Sequence, residues 1–235
     1  MRVYFLRGDK IDVAHRSVAA TPRVAAAAMS ELLAGPTAAD SAAGLTTAIP
    51  AATQLLGVTV TTGTATVDLT GTFESGGGSL SMTARLAQVT YTLTQFPTVA
   101  QVAFELDGRP VTTFGGEGIV LDHPVTRATF ESLTPAILVE TPGRGWAVRS
   151  PLRIAGTADV FEAQFRAELA DASGRVIASE PVHASSGSGT RGTFDTTLPF
   201  PTGASGPATL NVFDISPKDG SRIDVVQIPL QLLGP

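Results

Sequence analysis

Residues 82–108 read MTARLAQVTYTLTQFPTVAQVAFELDG, and the choice between helix and strand over their first half decides the architecture. Met82, Leu86, Val89, Leu93 and Phe96 recur at helical spacing, whereas Thr90-Tyr91-Thr92 favours strand by propensity alone. The five matches to a helical period decide for a helix. Beyond Pro97 the pattern changes: Val102, Phe104 and Leu106 alternate into Asp107-Gly108, a hairpin-turn signal, and Arg109-Pro110-Val111 returns.

Upstream of the flexible Gly76-Gly77-Gly78, residues Leu56, Val58 and Val60 alternate, Thr62-Gly63 can turn, and Val67 and Leu69 continue as a return strand. Further back, Val24, Ala25, Ala28, Met29, Leu32 and Leu33 form the apolar stripe of a helix. Thr21 is expected to N-cap it, with Pro22 in its first position and Gly35-Pro36 as its stop. Val3 to Leu6 and Ile11 to Val13 are short strands around Gly8-Asp9-Lys10. The order β-β-α-β-β-α-β-β implies one compact sheet covered on one face by two helices. The other face, or an edge strand, must then meet solvent or a partner. The strand around Arg109 to Thr112 is the expected border, since Pro110 lacks an N–H to pair.

Downstream, from Thr112 to Leu133, the periodicity lapses among Gly115-Gly116, Gly118 and His123-Pro124, which places the domain junction there. After Pro135, short alternating stretches recur at 137–139, 152–154, 163–169, 176–178, 193–198, 210–213 and 225–232, separated by turns such as Asp171-Ala172-Ser173-Gly174 and Lys218-Asp219-Gly220. About seven strands over about 100 residues signal an immunoglobulin-like sandwich. The fold expected is α+β: a small α/β domain over residues 1–126 with two helices on a sheet, then an immunoglobulin-like β-sandwich over 134–235.

Composition narrows the function classes. The net charge is −5, the pI is near 5.2 and Lys and Arg form no cluster, so the electrostatic footprint of a nucleic-acid binder is missing. Of the 16 basic residues only Lys10 and Lys218 are lysines, a bias that a GC-rich genome produces without selection on function. Without cysteine there are no disulfides, thiolate metal sites or thiol nucleophiles. No apolar run is long enough to span a membrane, and strand-like Arg2-Val3-Tyr4-Phe5 begins where a signal peptide would carry its charged and apolar regions. Any export signal is expected to have been removed or to be lacking.

Candidate chemistry is sparse. Gly187-Ser188-Gly189-Thr190-Arg191-Gly192 fits the phosphate-cradling G-x-G-x-x-G, but Thr193 to Leu198 alternates as a strand where that motif needs a helix, so a loop is expected. His15, His123 and His183 are dispersed with no metal-ligand spacing. The serines from Ser185 to Ser188 lack the nucleophile-elbow context. Asp68, Glu105 and Asp107 read as solvent-face and turn carboxylates rather than an acid–base pair. Glu162, beside Phe161, reads as a hydrogen-bond partner of a neighbouring loop, and Trp146 as packing in preference to a ligand-stacking platform. No catalytic, cofactor-binding or metal-binding residue is assigned, and no cofactor is expected.

The motif order resembles a GerMN domain followed by a Gmad2 domain, a pairing of bacterial proteins linked to sporulation and spore germination. The resemblance rests in the first half on Val3-Tyr4-Phe5, Leu32 to Pro36, Gly44-Leu45 with Ile49-Pro50, Val67-Asp68-Leu69, and above all Tyr91 to Pro97 with Val102 to Gly108. In the second half it rests on Ser150-Pro151-Leu152, Gly156-Thr157-Ala158, Phe161-Glu162-Ala163, Gly192-Thr193-Phe194 and Ile228-Pro229-Leu230. It implies an extracytoplasmic protein, often a lipoprotein, whose first module is similar to ring-building motifs, and it implies no catalytic residues. The anchor it implies, a signal with a lipobox Cys, is not in the sequence, so membrane attachment is expected only through that missing N-terminal element. The expectation is a non-enzymatic envelope scaffold whose first domain binds a protein partner or self-associates. The alternative is a small-ligand sensor or cell-wall carbohydrate binder that uses a loop end of the sandwich.

Overall fold

The computed structural model describes residues 1–116 and 118–234, which divide into two compact units, Met1–Thr134 and the chain from Pro135 onward. In the first, β1 (Arg2–Arg7) and β2 (Lys10–His15) form an antiparallel hairpin. Helices α1 (Val24–Leu33) and α2 (Ala38–Ala42) follow. Strand β3 (Leu55–Thr61) turns at Thr62-Gly63, both at positive φ, into β4 (Thr64–Leu69). A 3-10 turn leads to α3 (Ser79–Leu93), and β5 (Gln101–Leu106) then runs parallel to β4. The turn at Asp107-Gly108 gives β6 (Arg109–Pro110). A small hairpin of β7 (Thr113–Phe114) and β8 (Ile119–Val120) and a 3-10 stretch, Arg127–Leu133, complete the unit.

Three differences from the sequence reading have physical reasons. Thr21 does not cap α1: its hydroxyl accepts from the Arg23 backbone N–H, and the helix starts at Val24 without a side-chain cap. The short α2 went unread; Thr37 and Asp40 form its capping box. Strands of the first unit do not make one sheet. β3-β4-β5-β6 form a four-stranded sheet, while β1-β2 and β7-β8 stand as separate hairpins.

The separation of β1 from the larger sheet follows from what covers its backbone. Tyr4 N donates to Thr92 Oγ1, and Gln88 Nε2 donates to Tyr4 O. Arg2 N donates to Gln95 Oε1, and Gln95 Nε2 donates back to Arg2 O. Side chains of α3 and of Gln95, just past its end, thus take the place of a neighbouring strand. This also explains why Thr90-Tyr91-Thr92 is helical against its propensity, because all three are buried and tertiary contacts outweigh a few tenths of a kcal/mol per residue. On the same helix the buried Arg85 guanidinium donates to the carbonyls of Ala48, Phe73, Ser75 and Gly76. Burial holds its pKa below the usual arginine value.

The second unit is a sandwich. Strands β9 (Ile137–Thr141), β10 (Ala147–Val148), β11 (Leu152–Ala158), β12 (Gln164–Asp171), β13 (Val176–His183), β14 (Gly192–Leu198), β15 (Gly206–Ile215) and β16 (Arg222–Leu232) arrange as β10-β16-β15-β12-β13 and β14-β11-β9. Alternate residues of the two sheets, among them Ile154, Phe165, Leu169, Phe194, Leu210 and Ile228, make one core. Gly156 is required there: a Cβ would fall 2.0 Å from Leu138 O, at the bulge between β11 and β9.

Candidate functional site: an uncovered border strand

β3 is the first strand of the four-stranded sheet, with β4 on one side and no strand on the other among the described residues. It is seven residues long. The border expected from the sequence, around Arg109 to Thr112, is occupied by β6, but that strand has only two residues. Sequence reasoning thus missed the longer border. The alternation of Leu56, Val58 and Val60 reads equally well for a central or a border strand, so it carried no signal for the border.

Register fixes which way β3 faces. Val58 pairs with Val67 and Val60 with Ala65, and both partners are fully buried, so the apolar side of β3 lies on the helix-covered face. The opposite face carries Thr59, Thr61, Thr64 and Thr66 and is polar. Yet Val60 on that side is 42% exposed. The helix layer falls short here because α1 meets this strand with the short side chains of Ala25 and Ala26. The result is a groove of about 390 Å³, walled by Val24, Val58, Val60, Phe96 and Val99. Arg23 is its one charged lining residue and makes no ion pair among the described residues. The lining has no carboxylate, histidine or serine. Such a groove can take up apolar side chains, and the strand beside it can pair with an extended backbone.

In the second unit the glycine-rich segment is a loop packed on a turn. Ser188 N donates to Val160 O, Gly189 N to Asp159 Oδ1, and Glu162 N to Ser188 Oγ. A Cβ on Gly187 would meet Val160 O at 2.4 Å, and one on Gly192 would meet Ser186 N at 2.4 Å. Two of the motif's glycines therefore permit close backbone approach, and β14 follows where a phosphate cradle requires a helix. The turn holds Glu162 and Ala163 at φ of 54° and 57°, and Phe161 beside them is 62% exposed.

Residues 2–112 match the family Germane, described as sporulation and spore germination, and residues 136–221 match Gmad2, described as the immunoglobulin-like domain of bacterial spore germination. The chain joins a Germane domain to a Gmad2 domain. No curated protein matches it. Among solved structures it is similar to the tandem GerMN domains of the sporulation protein GerM from Bacillus subtilis, at 17% identity over 77% of this chain, TM-score 0.46; the chain spans 58% of that structure's length. The first GerMN domain of that protein aligns at 19% identity, over 55% of this chain and 98% of the other, TM-score 0.45. A candidate lipoprotein from Clostridium perfringens aligns at 18% identity, over 57% and 91%, TM-score 0.42.

The groove and β3 belong to the Germane domain, and the glycine loop to the Gmad2 domain. The Germane carboxylates act in turns: Asp68 Oδ1 accepts from Gly108 N, and Asp107 Oδ2 from Gly71 N. Glu105, on β5, is half-buried. In the first unit His15 lies at the end of β2 and His123 is exposed beside Asp122; in the second His183 ends β13. Among the described residues no three His, Asp or Glu side chains are grouped to hold a metal ion. Trp146 precedes β10, 42% exposed, and its carbonyl accepts from Gln231 N. No helix among the described residues is long and apolar enough to cross a membrane.

Proposed function

We propose that the chain is a non-catalytic, extracytoplasmic binding and scaffold protein of the bacterial envelope, whose Germane domain holds a protein partner while the Gmad2 sandwich presents or spaces it. Both domains are of kinds associated with sporulation and spore germination, which supports a role in that setting. The observation that carries the reading is the seven-residue border strand with Val60 exposed on the face that its own sheet buries elsewhere. A lining without carboxylate, histidine or serine suits binding better than turnover.

A photo-crosslinking side chain placed at position 60 of the exported protein, in the cells that make it, tests this. The expected product is a discrete adduct with an envelope protein, with no such adduct from position 66 on the polar face. Adducts at position 146 carrying only glycan, with none at position 60, would transfer the function to the sandwich as a cell-wall binder.

A further inference from the structure

Resting on that reading, we infer that the occupant of the groove is an extended segment of a different protein, with apolar residues at alternate positions and an acidic group at the end lying against Arg23. Each part of this description answers a feature of the site. Among the described residues no strand pairs with the outer side of β3, and a chain adding there must be extended. An extended chain projects every second side chain to one face, so the residues over Val58 and Val60 come from alternate positions and meet an apolar floor.

Charge then selects the end of the segment. Arg23 stands at the groove without a carboxylate partner among the described residues, and the first turn of α1 behind it has no acidic residue. An exposed cation bordering an apolar groove favours an anion over a cation on the incoming chain. The same feature argues against a second copy of this chain. β3 reads Leu-Leu-Gly-Val-Thr-Val-Thr, and Gln54 and Thr62 flank it, so a self-paired strand would bring no acid to Arg23.

The test is selection of random extended heptapeptides, displayed singly, against the full chain, followed by affinity measurement on the enriched sequences. Expected are peptides with alternating Val, Ile or Leu and an Asp, Glu or free carboxylate at one end. Arg23→Glu should weaken them about tenfold and shift the selection toward Lys or Arg at that end. Val60→Lys, which places a charge on an exposed position and leaves the fold intact, should abolish their binding. Apolar peptides that lose binding with Val60→Lys but show no charge preference would overturn the acidic-end inference while leaving the docking site. Failure to enrich any peptide sensitive to Val60→Lys would overturn both, and a concentration-dependent dimer blocked by Val60→Lys would replace the foreign partner by a second copy.

Discussion

Asp171, which closes β12, accepts from Ser173 Oγ at 2.6 Å, Ser173 N at 3.0 Å, Arg175 N at 3.2 Å and Arg175 Nε at 3.1 Å. The Ser173 hydroxyl contributes most to lowering its pKa to about 2, against a smaller opposing effect of burial. A carboxylate whose pKa is depressed on folding stabilises the native state above its unfolded pKa, and the contribution is lost as pH falls through the folded value. The stability advantage of the native chain over Asp171→Asn is therefore expected to be constant near neutrality and to vanish between about pH 4 and about pH 2. Urea midpoints of both proteins across that range check it, and a difference that persists unchanged at the acid end would assign the role to shape rather than charge. This turn was legible in Asp171-Ala172-Ser173-Gly174, because an Asx turn is built from residues adjacent in sequence. Arg85 was not legible, since its four carbonyl partners come from loops whose positions only the tertiary fold sets.

Among the elements, α3 shows where periodicity succeeds and what it leaves out. Its apolar spacing marked the helix as far as Leu93, with Phe96 falling past its end, but the same spacing hid Gln88 and Thr92, which together with Gln95 just beyond the helix pair with the backbone of β1. That pairing is why the first hairpin is not part of the larger sheet, a relation between segments 84 or more residues apart that no local pattern encodes. Gln88 also accepts from Ala48 N at 2.9 Å, so its amide hydrogen-bonds two backbone groups inside the unit. Gln88→Leu is expected to cost about 2–4 kcal/mol, because each orphaned group pays its desolvation without a partner. Guanidinium unfolding followed by circular dichroism should show a lower midpoint with an unchanged slope. A loss below about 0.5 kcal/mol, the range of ordinary surface substitutions, would show that water or repacking replaces the amide. The longer strands of the sandwich were legible where one face is buried and the residues alternate, as in β11 and β14. The two-residue β10 has no room for such a pattern.

At the scale of the whole molecule, the stretch between residues 112 and 133 is where composition and structure speak differently. Its glycines and polar residues read as a junction, yet Arg127–Leu133 folds back onto α3. The Arg127 guanidinium lies over the rings of Tyr4 and Tyr91 at 5.1 and 4.6 Å, Phe130 and Leu133 are buried, and Tyr91 Oη and Thr134 Oγ1 are 2.5 Å apart. These contacts are long-range and carried by single residues, so periodicity could not show them. They make a sharp prediction about fragments. A fragment of residues 1–134 is expected to unfold in one cooperative transition, while residues 1–126 lack two buried apolar side chains and a doubly stacked cation. Loss of Phe130 and Leu133 alone should cost about 5 kcal/mol or more, on the scale of deleting large core side chains, and that is comparable to the stability of a whole domain. The shorter fragment should therefore be largely unfolded by circular dichroism and amide exchange, and residues 135–235 should fold on their own around the sandwich core. A folded 1–126 fragment with the same melting temperature as 1–134 would show that the 3-10 stretch decorates the first unit without stabilising it.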